Sequence, residues 1–138
     1  MTLDQVHSQL AILRDNLDKL SELPQDTYEE FCADFRNLDS ALHRLQTSIQ
    51  ALIDIASFAT AQKGLGAPKS SLESLQKLES AGHLPVGSTE RFAPIIGFRN
   101  RVVHLYSSID PRIVYDILTR ERGDLEELGR LLVETVRN

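Results

Sequence analysis

An arginine, a histidine and a tyrosine lie within eight residues of one another in the segment Gly97–Tyr106. Histidine takes up or releases a proton near neutral pH, so His104 is suited to act as a general acid or base. Arginine keeps its charge and makes paired hydrogen bonds to phosphate, so Arg99 is suited to bind an anion and stabilise its charge. These two side chains are therefore candidates for acid–base chemistry on an anionic substrate.

Arg99 interrupts an apolar stripe. At about 100° per residue, the helix carries the following apolar side chains on one face with Arg99 among them: Phe92, Ile95, Ile96, Val102 and Val103. A guanidinium there is costly unless it is paired or its face opens onto a cleft that receives an anion. Asp54, on the most apolar half of an earlier helix, is a candidate partner. Pairing and a role in shaping the site both stay open.

Each motif residue also has an ordinary structural explanation. Arg99 could hold a buried carboxylate, His104 could interact with the last carbonyls of its helix, and Tyr106 could pack its ring with the hydroxyl at the surface. Three polar groups at one helix end beside apolar neighbours fit these explanations less well. Asn100 lies one turn before His104, where it could orient the imidazole.

The spacing of these residues resembles a known motif. Arg99, four residues, His104, one residue and Tyr106 follow the Arg-x4-His-x-Tyr pattern of HEPN-domain ribonucleases, most of all the HepT toxins. The flanking sequence is also similar, and the likeness covers roughly residues 46 to 118. It includes residues 51–56, residues 97–104, Ile109–Asp110 and Ile113–Tyr115.

The resemblance implies a HEPN-like helical domain that dimerises, with the motif helices of two protomers lining one cleft. It implies a metal-independent endoribonuclease toxin of a type VII-like toxin–antitoxin system, with tRNA among its candidate RNA substrates. Arg99 and His104 would be catalytic, Asn100 and Asp54 supporting. A minimal nucleotidyltransferase antitoxin would silence the toxin by adenylylating Tyr106, because added phosphates beside the cleft would repel RNA.

Charge is unevenly distributed along the chain. The net charge is −5, yet residues 91–122 hold six arginines against three acidic side chains, whereas residues 1–62 have a net charge of −6. The positive charge thus lies around the motif and is entirely arginine. Arg101 and Arg112 are therefore predicted RNA contacts, with solvated surface charge as the competing explanation.

Composition bounds the remaining classes of function. A chain of 138 residues with 41% hydrophobic and 25% charged residues predicts one folded domain over residues 1–138. No apolar run reaches the length of a membrane span, the N-terminus lacks signal-peptide features, and Cys32 is alone, which favours the cytoplasm. His7, His43 and His83 lack metal-ligand spacing, so neither a metal nor a cofactor is expected.

The elements that must position the motif are helices. Apolar residues recur at three- and four-residue spacing and no alternating strand pattern appears, which predicts an all-α, antiparallel bundle of four to five helices, with leftover apolar surface for a homodimer. Pro24 is predicted to end the first helix, and Asp26 with Glu29 forms a capping box for a second helix that reaches about Ala61. Ser70 and Gly82 mark the start and the end of the third helix, and Ser88 caps the motif helix, which Pro94 disturbs. Asp110–Pro111 begins the last helix, which is weakened at Gly123.

Two other functions compete with the ribonuclease. The same helices could form a non-catalytic dimerisation or interaction module, in which the motif helix is only a binding surface. A nucleotide-binding helical domain is a third candidate, which would need a specific ligand in the basic region. Toxicity on expression that depends on Arg99 and His104 favours the enzyme, whereas harmless, stable dimers and intact RNA favour the module.

Overall fold

The chain folds into helices, as the apolar spacing predicts. The computed structural model describes the backbone of residues 1–138 and every side chain except those of Leu105 and Tyr106; the described backbone contains no strand. The α-helices are α1 (Leu3–Glu22), α2 (Tyr28–Cys32), α3 (Phe35–Gln62), α4 (Ser71–Ser80), α5 (Ser88–Leu105), α6 (Pro111–Asp116) and α7 (Arg122–Arg137). A π-helical turn, Ile117–Glu121, joins α6 to α7 into one helical stretch.

Helices α1 and α3 form an antiparallel pair, the most extensive helix packing in the molecule. The end of the chain at Met1 lies beside Ala61, near the end of α3, while further along α1 the Nδ2 atom of Asn16 donates to Oγ1 of Thr47 at 2.8 Å. Helix α1 ends at Glu22, just before Pro24, as predicted. The antiparallel part of the predicted bundle is therefore confirmed at this pair.

The predicted long second helix is two helices. The prediction of Asp26 as its cap was wrong: Thr27 is the N-cap of α2, and its side chain accepts from the backbone N–H of Glu30 at 3.1 Å. Helix α2 stops at Cys32 because Asp34 adopts an extended backbone. The Asp34 carboxylate accepts from the N–H of Arg36, in the first turn of α3, and so caps that helix. The break between the two helices thus lies at Ala33 and Asp34.

The last helical stretch begins as predicted and is irregular close to the predicted weak point. Asp110 caps α6 by accepting from the N–H of Arg112 at 2.9 Å, and Pro111 occupies the first turn, where no donor is lost. The π turn ends two residues before Gly123. Further on, a Cβ at Gly129 would lie 2.8 Å from Cδ2 of Leu13, so the absence of a side chain lets α7 approach α1.

Apolar residues from all the long helices meet in one core, and α5 packs into it along most of its length. Its buried side chains are Phe92, Ile95, Ile96, Phe98 and Val102. The predicted stripe was wrong at Val103, which is 47% exposed, and it omitted Phe98, which is buried. The buried face of α5 therefore rotates away from Arg99 and Val103 toward the C-terminal end. Among the described residues, no helix is long and apolar enough to span a membrane.

Candidate functional site

The start of the motif helix is held by a carboxylate from another helix. Glu79 of α4 accepts from the backbone N–H of Gly87 at 3.0 Å and of Thr89 at 2.7 Å, so it satisfies donors at the first turn of α5. The predicted cap was wrong: the hydroxyl of Ser88 donates to the carbonyl of Pro85 instead. The helix begins at Ser88 and continues through Pro94 to the motif.

The backbone N–H groups of Thr89 and Gly87 donate to the Glu79 carboxylate and favour its charged form, with the larger effect from Thr89. The pKa of Glu79 is therefore lowered. A carboxylate whose pKa is lower in the folded state than in the unfolded state stabilises the fold at pH values above its unfolded pKa. That stabilisation is lost as the pH falls through the folded-state pKa. We therefore expect the melting temperature of the wild type to fall more steeply below about pH 4.5 than that of Glu79→Gln, so that the two converge in acid. Thermal melts from pH 7 to pH 3 measure this.

Glu126→Gln is the matched control for that prediction, since Glu126 is exposed on α7 and its replacement removes the same charge. Its melting temperature should follow the wild type at every pH. If Glu79→Gln also runs parallel to the wild type down to pH 3, then the carboxylate does not stabilise the start of α5.

Arg99 is held by a glutamine that the sequence reasoning did not select. Both Nε and Nη2 of Arg99 donate to Oε1 of Gln50 on α3, at 3.0 and 2.6 Å. Gln50 in turn donates from Nε2 to Oδ1 of Asp54, one turn further along α3, at 2.8 Å. The guanidinium is half-buried, and the neighbouring face at Val103 is open. This face explains how an arginine can occupy the apolar stripe.

Direct pairing of Arg99 with Asp54, one of the two roles that the sequence left open, is therefore replaced by a chain of three side chains. Among the described side chains, no carboxylate oxygen lies within 4.0 Å of the Arg99 guanidinium; the ion pairs of the molecule involve other residues. Gln50 has one sequence signal, its four-residue spacing from Asp54 on a helix. The hydrogen bond to Arg99 spans 49 residues, and no local pattern predicts it.

The other motif residues lie at the surface on the second half of α5. Asn100, Arg101 and His104 are exposed. His104 lies five positions after Arg99, which is about 140° around a helix and about 7.5 Å along it. The two side chains of one protomer therefore leave α5 in different directions. The side chain of Tyr106 lies outside the described residues.

Arg112 belongs to a separate cluster at the start of α6. Its guanidinium lies 4.8 Å from the ring centroid of Tyr28 and 5.6 Å from that of Tyr115, and its Nε is 3.5 Å from Oδ1 of Asp116. Tyr115 donates its hydroxyl to the carbonyl of Gln25 at 2.8 Å. The structure thus brings Arg99, Gln50 and Asp54 together, but gives Arg112 other partners. In the described part of the chain, no group of three His, Cys, Asp or Glu side chains is placed to hold a metal.

Comparison with known proteins gives consistent matches over nearly the whole chain. Residues 13–131 match the model of the family described as ribonuclease HepT-like. The mRNA nuclease HepT of Shewanella oneidensis is 27% identical over 124 residues, which cover 90% of this chain and 92% of that protein. The tRNA nuclease HepT of Aphanizomenon flos-aquae is 26% identical over 110 residues, covering 80% and 75% respectively.

Solved structures agree with the sequence matches. The tri-AMPylated Shewanella oneidensis HEPN toxin, in complex with MNT antitoxin, superposes with a TM-score of 0.82 at 25% identity and covers 97% of this chain and 99% of that one. A toxin–antitoxin crystal structure with AMP-PNP gives a TM-score of 0.81 at 25% identity, covering 96% and 99%. The predicted HEPN-like fold is confirmed by these superpositions.

Proposed function

The chain belongs to the family of HepT-like ribonucleases, and from this premise we propose that it is a metal-independent endoribonuclease toxin acting on RNA as a homodimer. One observation carries the assignment of the site: a half-buried arginine, held by a neutral amide, lies on an open face five residues before an exposed histidine. An uncompensated guanidinium on such a face is suited to receive a phosphate.

The chemistry needs only groups that the motif supplies. The 2′-oxygen of RNA forms a bond to the adjacent phosphorus while the bond from phosphorus to the 5′-oxygen breaks, leaving a 2′,3′-cyclic phosphate and a 5′-hydroxyl. A base removes the proton of the 2′-hydroxyl, and an acid gives a proton to the departing 5′-oxygen. His104 serves in one of these roles, and Arg99 stabilises the additional negative charge on the phosphate oxygens.

A second protomer supplies what one chain lacks. One His104 cannot be both the base and the acid in the same step, and Arg99 and His104 of one chain leave α5 about 140° apart. A two-fold axis along the open face would bring a second copy of each side chain to a shared cleft. Apolar surface for such an interface is present beside the motif, since Val103 is 47% exposed. This arrangement makes the dimer the active unit.

The same proposal includes control by a partner. A minimal nucleotidyltransferase antitoxin would adenylylate Tyr106, and the added phosphates would exclude RNA from the cleft by charge and bulk. A related toxin has been solved in its tri-AMPylated form with an MNT antitoxin. Asn100 and Arg101 would contribute orientation and phosphate binding at the exposed surface of α5, and toxin and antitoxin would meet in the cytoplasm.

Incubating the purified protein with total RNA in the presence of EDTA tests the activity. We expect cleavage that persists in the chelator and leaves 2′,3′-cyclic phosphate and 5′-hydroxyl ends, whereas an oligonucleotide with 2′-deoxyribose at the cleavage position stays intact. Products with 3′-hydroxyl ends, or activity only after metal addition, would contradict the mechanism. Stable dimers that leave all RNA intact would instead support the non-catalytic interaction module.

A further inference from the structure

The partner of Arg99 is a neutral amide, although a carboxylate lies one hydrogen bond further away. Oε1 of Gln50 accepts from Nε at 3.0 Å and from Nη2 at 2.6 Å of Arg99, and Nε2 of Gln50 reaches Oδ1 of Asp54 at 2.8 Å. All three side chains are half-buried. The hydrogen bonds therefore hold the guanidinium in place while Gln50 keeps the carboxylate from pairing with it directly.

Asp54 determines which way the Gln50 amide faces. An ionised carboxylate only accepts hydrogen bonds, so the NH₂ group of Gln50 must face Asp54. A guanidinium only donates, so the oxygen of Gln50 must face Arg99. Both ends of the amide thus favour the same orientation. If the amide were reversed, NH₂ would face the guanidinium and the amide oxygen would face the carboxylate, which places donor against donor and acceptor against acceptor.

In this geometry Arg99 keeps its positive charge and has N–H donors that Gln50 does not use. A guanidinium has five N–H groups. Gln50 takes one from Nε and one from Nη2, so among the described side chains three N–H groups are left for a ligand. A carboxylate in the place of Gln50 would hold the guanidinium as well but would neutralise it. A phosphate would then meet an ion pair rather than a cation, and its binding would weaken.

We propose that Gln50 is a positioning residue for the ribonuclease reaction, which aims the Arg99 guanidinium at the RNA phosphate without neutralising it, and that Asp54 fixes the orientation of Gln50. This inference rests on the proposed function, because it assigns the anion at Arg99 to RNA. It also gives Asp54 a role through Gln50, in place of a direct ion pair with Arg99.

Gln50→Glu is the decisive substitution, since it retains the shape and the acceptor but adds the charge that the amide withholds. We expect its affinity for an uncleavable 2′-O-methyl oligoribonucleotide to fall about tenfold to a hundredfold, the range given by loss of a charged hydrogen bond. The slope of log K against log salt should become shallower by about 0.7 for each RNA phosphate that the protein no longer neutralises. The substitution also replaces the Nε2 donor that faces Asp54 with a second acceptor, so the melting temperature is measured beside the affinity to show that the variant is folded.

Two further variants separate positioning from general charge and from structure. Gln76→Glu adds the same charge at an exposed position on α4 and should leave the affinity and the salt slope as in the wild type. Asp54→Asn removes the constraint on the amide orientation and should weaken RNA binding less than Gln50→Glu, with an unchanged salt slope. Gln50→Asn, whose side chain is too short to reach Arg99, should bind RNA less tightly than the wild type.

The outcomes distinguish this inference from the proposed function. If the wild type binds and cleaves RNA but Gln50→Glu matches it in affinity and salt slope, the positioning role is wrong and the ribonuclease assignment stands. If Gln76→Glu loses as much affinity as Gln50→Glu, the effect is one of net charge and the inference is again wrong. A wild type that neither binds nor cleaves RNA contradicts the proposed function itself.

Discussion

Replacing Arg99 or His104 with alanine is expected to lower the rate constant of RNA cleavage by roughly 10²–10⁴-fold in each case, the range for losing a proton-transfer group or a charge-stabilising donor. Arg99→Ala removes the cation that faces the open surface of α5, and His104→Ala removes a proton donor or acceptor that no other described motif side chain replaces. Single-turnover cleavage of a defined RNA, with enzyme in excess, measures the chemical step directly.

Two matched variants show whether such a loss is specific. Arg101→Ala removes an exposed arginine beside the site and should weaken RNA binding a few-fold, with a smaller effect on the cleavage step. Arg137→Ala removes an exposed arginine at the end of α7 and should cleave RNA as the wild type does. Arg99→Ala that cleaves within a few-fold of Arg137→Ala would mean that another group stabilises the phosphate.

Adenylylation of Tyr106 is expected to abolish RNA cleavage, because each added adenylate places a negative phosphate next to the cleft where the RNA phosphate must bind. Co-expression with a minimal nucleotidyltransferase from the same cell should add whole adenylate units to the protein, and peptide mass spectrometry should locate them on Tyr106. The modified protein should also bind uncleavable RNA less tightly than the unmodified one.

Tyr106→Phe and Tyr115→Phe form the matched pair for this experiment. Tyr106→Phe lacks the acceptor hydroxyl and should remain unmodified, whereas Tyr115→Phe should still be modified, since the hydroxyl of Tyr115 is bound to the carbonyl of Gln25. Adenylate on any tyrosine other than Tyr106, or full cleavage activity of the modified protein, would refute this mode of control.

Local patterns in the sequence predicted the ends of helices well where a single residue type determines the boundary. Pro24 follows the end of α1, Gly82 with a φ of +82° follows α4, and Asp110 with Pro111 begins α6. Prediction failed where neighbouring residues compete for the same role. Thr27 rather than Asp26 caps α2. Which of the two accepts the hydrogen bond depends on the backbone conformation before the helix, because that conformation determines which side chain faces a free N–H.

The candidate site was predicted in part, for a physical reason. The misfit of Arg99 on an apolar stripe is visible in the sequence because helical periodicity fixes which residues share a face. Its partner is not visible, because Gln50 lies on a different helix and meets Arg99 only after α3 and α5 pack. The same is true of Glu79, whose carboxylate reaches the start of α5 from α4. The exposure of Val103 could not be predicted either, because it depends on how far the packed core extends along α5.

A mixed dimer of one wild-type chain and one chain that carries both Arg99→Ala and His104→Ala tests the central claim most directly, that two protomers together form the cleft. The two chains can be co-expressed with different tags and the mixed dimer isolated by purification on both. If the cleft needs Arg99 and His104 from both protomers, the mixed dimer lacks one copy of each, and its cleavage rate should fall about tenfold or more below that of the wild-type homodimer. A mixed dimer that cleaves RNA at about half the wild-type rate would contradict the account, because it would place the working groups within a single chain.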